Sequence, residues 1–227
     1  MAYRGGRLDL AEKAFRRTLE LDPDRPVIRQ HFGTLLRDLG RLDESERQLR
    51  IAADQAHETD FATRINLAET LVASGKDGEA EAILRRVLER EPNHAKAKGV
   101  LGRALLARGR AAEAVPYLEA AVRGREPGPL LDLAGAYLRL GEAARALEAT
   151  GRVLAQSPGH PWALSLAGHA LVLEGRHEEG LGLLQRALAI GPRRAEAWAA
   201  LGAAFAAAGD ARSAERCRRE GARFARS

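Results

Sequence analysis

Glycine recurs at a nearly constant interval along the whole chain, and this period constrains the fold more than any other feature of the sequence. Successive members of the series are separated by 32 to 35 residues. The series is Gly6, Gly40, Gly75, Gly109, Gly141, Gly175 and Gly209. A period of this length is typical of an array of supersecondary units, each of which buries its apolar face only by stacking on its neighbours.

Other residue types repeat at fixed offsets from these glycines. The residue seven positions before the glycine and the residue five positions after it are small, being Gly, Ala or Ser. Small side chains at two such positions allow the backbones of neighbouring helices to approach closely, and large side chains beside them fill the remaining space. The residue four positions before the glycine is always large and apolar: Leu36, Leu71, Leu105, Tyr137, Leu171 and Phe205.

The columns predict a helix of about fourteen residues before each glycine and a second helix after it. Glycine adopts the left-handed conformation that ends many helices. Proline, which cannot continue a helix, follows seventeen residues later in four of the units. Ala, Leu, Arg and Glu are abundant and favour helix, whereas β-branched residues are sparse. The sequence therefore predicts an all-α fold with six complete helix pairs after a partial first unit, and no strand.

The last unit reads Trp198-x-x-Leu201-Gly202-x-x-Phe205 and is followed by Ala214. This pattern resembles the signature of the tetratricopeptide repeat (TPR) family, with Phe205 in place of the usual Tyr. The resemblance extends over the entire chain, because the same columns recur in every unit. It implies a right-handed α-solenoid, a superhelix of helix-turn-helix repeats in which the first helix of each unit lines a concave groove.

On this basis we expect residues 1–227 to form a single TPR solenoid. The expected units are a partial repeat over 1–25 and repeats over about 26–60, 61–94, 95–126, 127–160, 161–194 and 195–227. An insertion near Asp60 and a two-residue shortening around 127–129 predict local irregularity. The first unit is expected to consist mainly of its second helix, from about Leu8 to Leu21. Its exposed Leu8, Phe15 and Leu19 would then offer a surface for self-association or for a partner.

The resemblance also indicates which residues face the groove, namely those 13, 10, 9, 6 and 3 positions before each glycine. In the N-terminal units these candidates are polar: Gln30, His31, Thr34, Arg37, Asn66, Glu69, Lys96 and Arg103. In the later units they are mainly apolar: Leu131, Asp132, Leu138, Trp162, Leu166, His169 and Val172.

Trp162 is the expected anchor for a partner, because a tryptophan exposed to a groove is often a binding hot spot. Trp198 falls in a packing column and is expected to stabilise the fold instead. An alternative left open by the sequence is that Leu131, Leu138 and Leu166 pack between helices rather than face a ligand.

No pattern typical of an active site is present, so the chain is not expected to be an enzyme. The six histidines have no metal-ligand spacing, so neither a metal nor a cofactor is expected. No phosphate-binding glycine loop or nucleophile elbow is found. The single cysteine, Cys217, has no partner for an internal disulfide and suits a reducing, cytoplasmic location. We find neither a signal peptide nor a segment able to span a bilayer.

The function favoured by these observations is a scaffold or adaptor that binds a peptide or protein segment in the groove. An alternative is a TPR arm of a larger, transferase-like enzyme, used for targeting or regulation. Nucleic acid is the less favoured partner, although the net charge is +5 and the last helix is rich in arginine. That helix also closes the repeat array, where a polar outer face is required for solubility. Its arginines are Arg212, Arg216, Arg218, Arg219, Arg223 and Arg226.

Overall fold

The computed structural model describes residues 2–57, 59–122, 126–191, 195–207 and 209–224. Over these residues the chain forms thirteen α-helices and no strand, which confirms the all-α prediction. One helix is followed by six helix pairs, as the glycine period predicts. The helices are α1 Ala2–Leu21, α2 Pro26–Asp38, α3 Leu42–Gln55, α4 Phe61–Ala73, α5 Asp77–Arg90, α6 Ala95–Ala107, α7 Ala111–Ala121, α8 Pro127–Arg139, α9 Ala143–Gln156, α10 Pro161–Leu173, α11 His177–Ile190, α12 Ala195–Ala207 and α13 Ala211–Phe224.

The chain divides into two compact units, which we call unit 1 (Met1–Arg110) and unit 2 (Ala111–Ser227). In unit 1 each helix from α1 to α6 packs against the next, and the first helices of successive pairs, α2, α4 and α6, also contact one another. Unit 2 repeats this arrangement from α7 to α13, with α8, α10 and α12 in contact. Within each unit, the first helices therefore present their side chains on a common face.

Six glycines of the series end a helix in the left-handed conformation, with φ between 75° and 81°. At Gly40, the amide of Arg41 donates to the carbonyl oxygen of Leu36 at 2.8 Å, and the Gly40 amide donates to that of Arg37 at 2.9 Å. This pair of hydrogen bonds is the Schellman motif, which satisfies the last carbonyl groups of the helix. The turn prediction is confirmed at these six positions.

The prediction that Gly6 also marks a turn is wrong, because α1 runs unbroken from Ala2 to Leu21. No described helix precedes α1 for the chain to turn back on. A glycine inside a helix costs only about 1 kcal/mol relative to alanine, so the helix continues through it.

The small columns are the points at which paired helices touch. A methyl group placed on Gly33 of α2 would lie 2.6 Å from Cγ of Leu49 on α3. The same addition to Gly180 of α11 would lie 2.8 Å from the carbonyl oxygen of Gly168 on α10. Contacts this short show why only small residues occupy these columns. Nine positions after four of the glycines, large residues fill the core: Leu49, Leu84, Leu118 and Leu184 are all completely buried.

Buried carboxylates join successive repeats in unit 1, a feature that our reading of the sequence missed. Glu46, which is 7% exposed, accepts from Nζ of Lys76 at 2.9 Å. Glu81, also 7% exposed, accepts from Arg110 at 2.8 Å. In each case the glutamate follows a series glycine by six residues and the base directly follows the next one. In unit 2 the glutamate column holds Val115, Leu147 and Leu181, and a glutamate returns in the last helix, as Glu215.

Candidate functional site

The first helices of unit 1 carry a polar face centred on Glu69. Its carboxylate accepts from Arg37 of α2 at 2.6 Å and lies 3.1 Å from Nζ of Lys96 and 3.6 Å from Arg103, both on α6. Lys96 also donates to the side-chain oxygen of Asn66 at 3.1 Å. The structure thus brings together five of the predicted polar residues from three helices. Three cations surround one carboxylate that is only 15% exposed.

The other predicted polar residues lie at the α2 end of this face. His31 is exposed, whereas Gln30 and Thr34 are half-buried. The Thr34 hydroxyl donates to the backbone carbonyl of Gln30 at 3.0 Å, a bond within the helix that leaves the Gln30 side chain uninvolved. Gln30, His31 and Thr34 therefore take no part in the polar contacts between helices that surround Glu69.

In unit 2 the corresponding helices enclose a cavity of about 560 Å³. Trp162 and Leu166 of α10 and Leu138 of α8 form its half-buried apolar wall, and exposed alanines of α12 form the opposite side. These three side chains belong to the apolar candidates of the later units, and the structure brings them together in one wall. The complete lining is Gly135, Leu138, Arg139, Trp162, Ser165, Leu166, His169, Ala197, Ala199, Ala200 and Ala203.

The room in this cavity comes from one column, six residues before the turn glycine. In α8 and α12 the column holds Gly135 and Ala203, whose small side chains leave the space between the helices open. Between them lies His169 of α10. Burial lowers the pKa of His169 below its usual value of 6.5, so the ring is neutral at pH 7. The cavity therefore has an uncharged middle, and the guanidinium of Arg139 supplies the charge in its lining.

Three predicted groove residues do not line the cavity: Leu131, Asp132 and Val172. Leu131 is 2% exposed and packs in a core cluster with Leu130, Val153 and Ala163. Its column, ten residues before the glycine, also holds Ile65, which is 1% exposed. Leu131 and Ile65 therefore point between helices, whereas Ser165 and Ala199 at the same position of later repeats line the cavity. The alternative that Leu131 packs between helices is correct.

Val172 packs against the second helix of its own pair. A methyl group added to Gly180 would lie 2.7 Å from Cγ2 of Val172. The Val172 side chain therefore contributes to the contact between α10 and α11, and its assignment to the groove is wrong.

The two tryptophans occupy different surroundings, although both are half-buried. Trp162 lines the cavity and also packs on the core cluster that contains Leu131. Trp198 does not line the cavity and packs on the cluster formed by Leu184, Leu201 and Cys217 among others. Trp162 is therefore not a purely exposed anchor, because part of its ring contributes to packing.

The remaining candidates show no arrangement typical of catalysis. Cys217 is 4% exposed, and burial raises the pKa of its thiol, which leaves it protonated and unreactive. In the part of the chain that the structure describes, no three His, Cys, Asp or Glu side chains gather as metal ligands. Of the described helices, none is long and apolar enough to cross a membrane.

The arginines of α13 are partly neutralised by acidic residues of the same helix. Arg218 and Arg219 lie 2.7 Å and 3.1 Å from the carboxylate of Glu215. Arg223 lies 2.9 Å from that of Glu220. Arg226 lies outside the described residues. This pairing weakens the positive field that a nucleic acid would require.

Comparisons with known proteins follow the repeat pattern. Two family models, both described as tetratricopeptide repeat, match residues 65–129 and 138–204, together more than half of the chain. No curated protein matches the sequence significantly.

Solved structures share the fold at low sequence identity. A tetratricopeptide repeat protein from Parabacteroides merdae is 14% identical over 98% of this chain and 88% of its own, with a TM-score of 0.73. TTC0263, a thermophilic TPR protein from Thermus thermophilus, is 22% identical over 80% of this chain and all of its own, with a TM-score of 0.64. YrrB, described as a TPR protein with an unusual peptide-binding site, is 21% identical over 82% of this chain and 96% of its own, with a TM-score of 0.60.

Proposed function

Because the chain belongs to the tetratricopeptide repeat family, we propose that it is a non-enzymatic scaffold whose unit 2 cavity holds a segment of another protein. Repeats of this family generally mediate binding to proteins or peptides. The observation that carries the proposal is the cavity between α8, α10 and α12, where Trp162, Leu138 and Leu166 are only half-buried.

The chemistry of the lining defines the ligand. A volume of about 560 Å³ falls within the range of about 300–1,000 Å³ that is usual for ligand pockets. Its wall is aromatic and aliphatic and its middle is a neutral imidazole, so the cavity suits a large apolar side chain. Arg139 at the edge suits an acidic group or a backbone carbonyl beside that side chain. The expected ligand is therefore a peptide segment with a bulky apolar residue as its anchor.

We propose that the polar face of unit 1 is a separate surface for contact with the partner, and that it contributes less binding free energy than the cavity. Glu69, Arg37 and Lys96 are already satisfied by one another, so a ligand gains little by replacing these contacts. Surface ion pairs contribute about 1 kcal/mol or less. We expect this face to influence orientation and association rate more than affinity.

The description of YrrB as a peptide-binding TPR protein supports the view that the architecture accommodates peptides. The likeness extends to the fold, and the ligand of this chain follows from its own lining residues. The likeness to YrrB therefore does not identify the peptide that this chain binds.

The test is selection of peptides from a random display library on the full chain, followed by binding measurements on two tryptophan-insertion variants. Ala203→Trp fills the cavity from its exposed alanine wall. Ala189→Trp places the same side chain on the exposed surface of α11, away from the lining. Selected peptides should carry an aromatic or aliphatic anchor, and Ala203→Trp should weaken their binding at least about tenfold. Equal binding to both variants would show that the cavity is not the ligand site.

A further inference from the structure

The wall of the unit 2 cavity contains two polar side chains that have no hydrogen-bond partner in the described part of the chain. Ser165 and His169 both lie on α10 and both line the cavity. They are four residues apart, so they are neighbours on one face of the helix, with Cβ atoms about 5–6 Å apart. Neither the Ser165 hydroxyl nor the ring of His169 makes a hydrogen bond to any described residue.

The free hydroxyl of Ser165 is unusual for a residue inside a helix. Ser165 is only 6% exposed. Hydroxyls at comparable places in this chain donate to the carbonyl oxygen four residues earlier, as Thr150 does to Ala146 at 2.8 Å and Thr34 does to Gln30 at 3.0 Å. Buried polar groups in folded proteins nearly always have a partner. The Ser165 hydroxyl is therefore left for water or a ligand in the cavity.

The two helices that flank α10 carry no polar side chain at these positions. Ten residues before the turn glycine, α8 has Leu131 and α12 has Ala199. Six residues before it, they have Gly135 and Ala203. The polar pair of α10 thus stands alone between small and apolar residues, and the repeat also folds with such residues at both positions.

An anchor without a polar group would leave this pair unsatisfied. Water in the open cavity can bond to both groups, and an anchor such as leucine or phenylalanine displaces that water without replacing its hydrogen bonds. A buried donor or acceptor that loses its partner costs free energy. A site of this kind discriminates strongly against an analogue that lacks the hydrogen-bonding group.

The phenol group of tyrosine matches both properties of the wall. Its ring is an apolar body that suits Trp162 and Leu166, and its hydroxyl is a polar tip. A serine hydroxyl and a neutral imidazole each offer a donor and an acceptor, and a phenol hydroxyl can donate to one while it accepts from the other. The indole N–H of tryptophan only donates, so it satisfies one of the two groups.

We propose that the cavity selects tyrosine as the anchor of the segment that it binds, with the ring against Trp162 and Leu166 and the hydroxyl bonded to Ser165 and His169. This inference rests on the proposed function and narrows its anchor from any bulky apolar side chain to one. Ser165 and His169 are then the residues that determine specificity.

The test uses the tightest-binding peptide from the library selection described above. Its anchor is the position at which alanine weakens binding most, and the peptide is synthesised with Tyr, Phe or Leu there. Dissociation constants for the full chain are measured by fluorescence anisotropy. The double variant Ser165→Ala/His169→Phe removes both polar groups and keeps an aromatic ring at position 169. Ser157→Ala, which removes an exposed hydroxyl of unit 2 outside the lining, is the matched control.

We expect the Tyr peptide to bind the parent chain about tenfold more tightly than the Phe peptide. This preference should disappear in the double variant and persist in Ser157→Ala. Because the Tyr and Phe peptides are compared on the same protein, a general loss of stability in a variant does not produce the expected result.

Two results would overturn the inference alone: Phe or Leu peptides that bind the parent at least as tightly as the Tyr peptide, or a preference for Tyr that survives in the double variant. Ala203→Trp separates these from failure of the proposed function. If the peptides bind that variant as well as they bind the parent, the cavity is not the ligand site and both proposals are wrong.

Discussion

Unit 1 and unit 2 share their packing columns but differ in the columns that face outward. Six residues before the turn glycine, unit 1 has Thr34, Glu69 and Arg103, whereas unit 2 has Gly135, His169 and Ala203. In unit 1 the last two of these lie 3.6 Å apart in a network of charges. In unit 2 all three line one cavity. The difference shows that the repeat tolerates opposite chemistry in this column because helix packing does not depend on it.

The contacts between successive repeats also differ between the units, and they are again more polar in unit 1. Unit 1 places the carboxylates of Glu46 and Glu81 between helix pairs, each with cations from the next turn. In unit 2 the same column holds Val115, Leu147 and Leu181, with a glutamate only at Glu215 in the last helix. Within one pair of unit 2, Gly168 and Gly180 bring α10 and α11 into close contact. Unit 1 therefore joins its repeats through buried carboxylates, whereas this column is mainly apolar in unit 2, where the ion pair of Arg145 with Glu119 is exposed. The variants below test this contrast, from the largest expected effect to the smallest.

The largest effect is expected at the close contact in unit 2. Gly180→Ala places a methyl group 2.8 Å from the carbonyl oxygen of Gly168 and 2.7 Å from Val172, so α10 and α11 must move apart. We expect a loss of about 1–3 kcal/mol in the free energy of unfolding, measured by urea denaturation.

Gly182→Ala is the matched control on the same helix, because a methyl group there meets nothing within 4 Å. Alanine favours helix over glycine by about 1 kcal/mol, so this variant should be more stable than the parent. If both variants change stability by the same amount and sign, close packing is not what distinguishes α11.

A smaller effect is expected when the carboxylates of unit 1 are neutralised. Burial alone would raise the pKa of both Glu46 and Glu81. Hydrogen bonds lower it by a larger amount: Lys76 and Arg50 donate to Glu46, and Arg85 and Arg110 donate to Glu81. Both folded-state pKa values are therefore below the usual 4.5. Their contribution is present above the unfolded-state pKa and is lost as the pH falls through the folded-state values.

Hydrogen exchange locates this effect within the chain. On acidification from about pH 7 to about pH 3, the protection factors of α3 and α5 should fall more than those of α9 and α11. The double variant Glu46→Gln/Glu81→Gln should already be less stable at neutral pH, by about 1–2 kcal/mol, and should show a smaller pH effect. If the protection factors of all four helices fall equally on acidification, the two units do not differ in how their repeats are joined.

The smallest difference between the units is expected at the turn glycines, because their conformations agree. Gly75 has φ 76° and Gly175 has φ 79°, and a methyl group on either would meet nothing within 4 Å. Each Gly→Ala change should therefore cost only left-handed strain, about 1–2 kcal/mol. Equal losses in thermal stability are expected. A clear inequality would show that turns, and not only outward-facing columns, differ between the units.

The sequence predicted the fold well because packing leaves a periodic signal. Small residues such as Gly33 and large ones such as Leu49 recur at fixed offsets, and the structure shows them in contact. The turn at Gly6 was mispredicted because a helix continues through a glycine at a cost of only about 1 kcal/mol, so a glycine alone does not mark a turn.

The candidate site was predicted less completely. Leu138, Trp162, Leu166 and His169 were assigned to one face and do line one cavity. Leu131 was misassigned because its side chain packs in a core cluster with Leu130, Val153 and Ala163, although Ser165 and Ala199 at the same position of later repeats line the cavity. Val172 was misassigned because Gly180 opposite it leaves space on the packing side, a property of the partner helix rather than of α10. The spacing of Glu12, Glu46 and Glu81, each six residues after a glycine of the series, could have predicted the glutamates between the repeats of unit 1.

The central claim is that the unit 2 cavity binds a protein segment, and it is tested most directly with the two tryptophans of the chain. The measurement is the dissociation constant of a library-selected peptide for Trp162→Ala and for Trp198→Ala, at a temperature where both variants are folded. We predict that Trp162→Ala loses about 2 kcal/mol of binding, or roughly 30-fold in affinity, with some loss of stability from its packing side. Trp198→Ala should bind normally while unfolding at a lower temperature. Normal binding by Trp162→Ala together with impaired binding by Trp198→Ala would contradict the account.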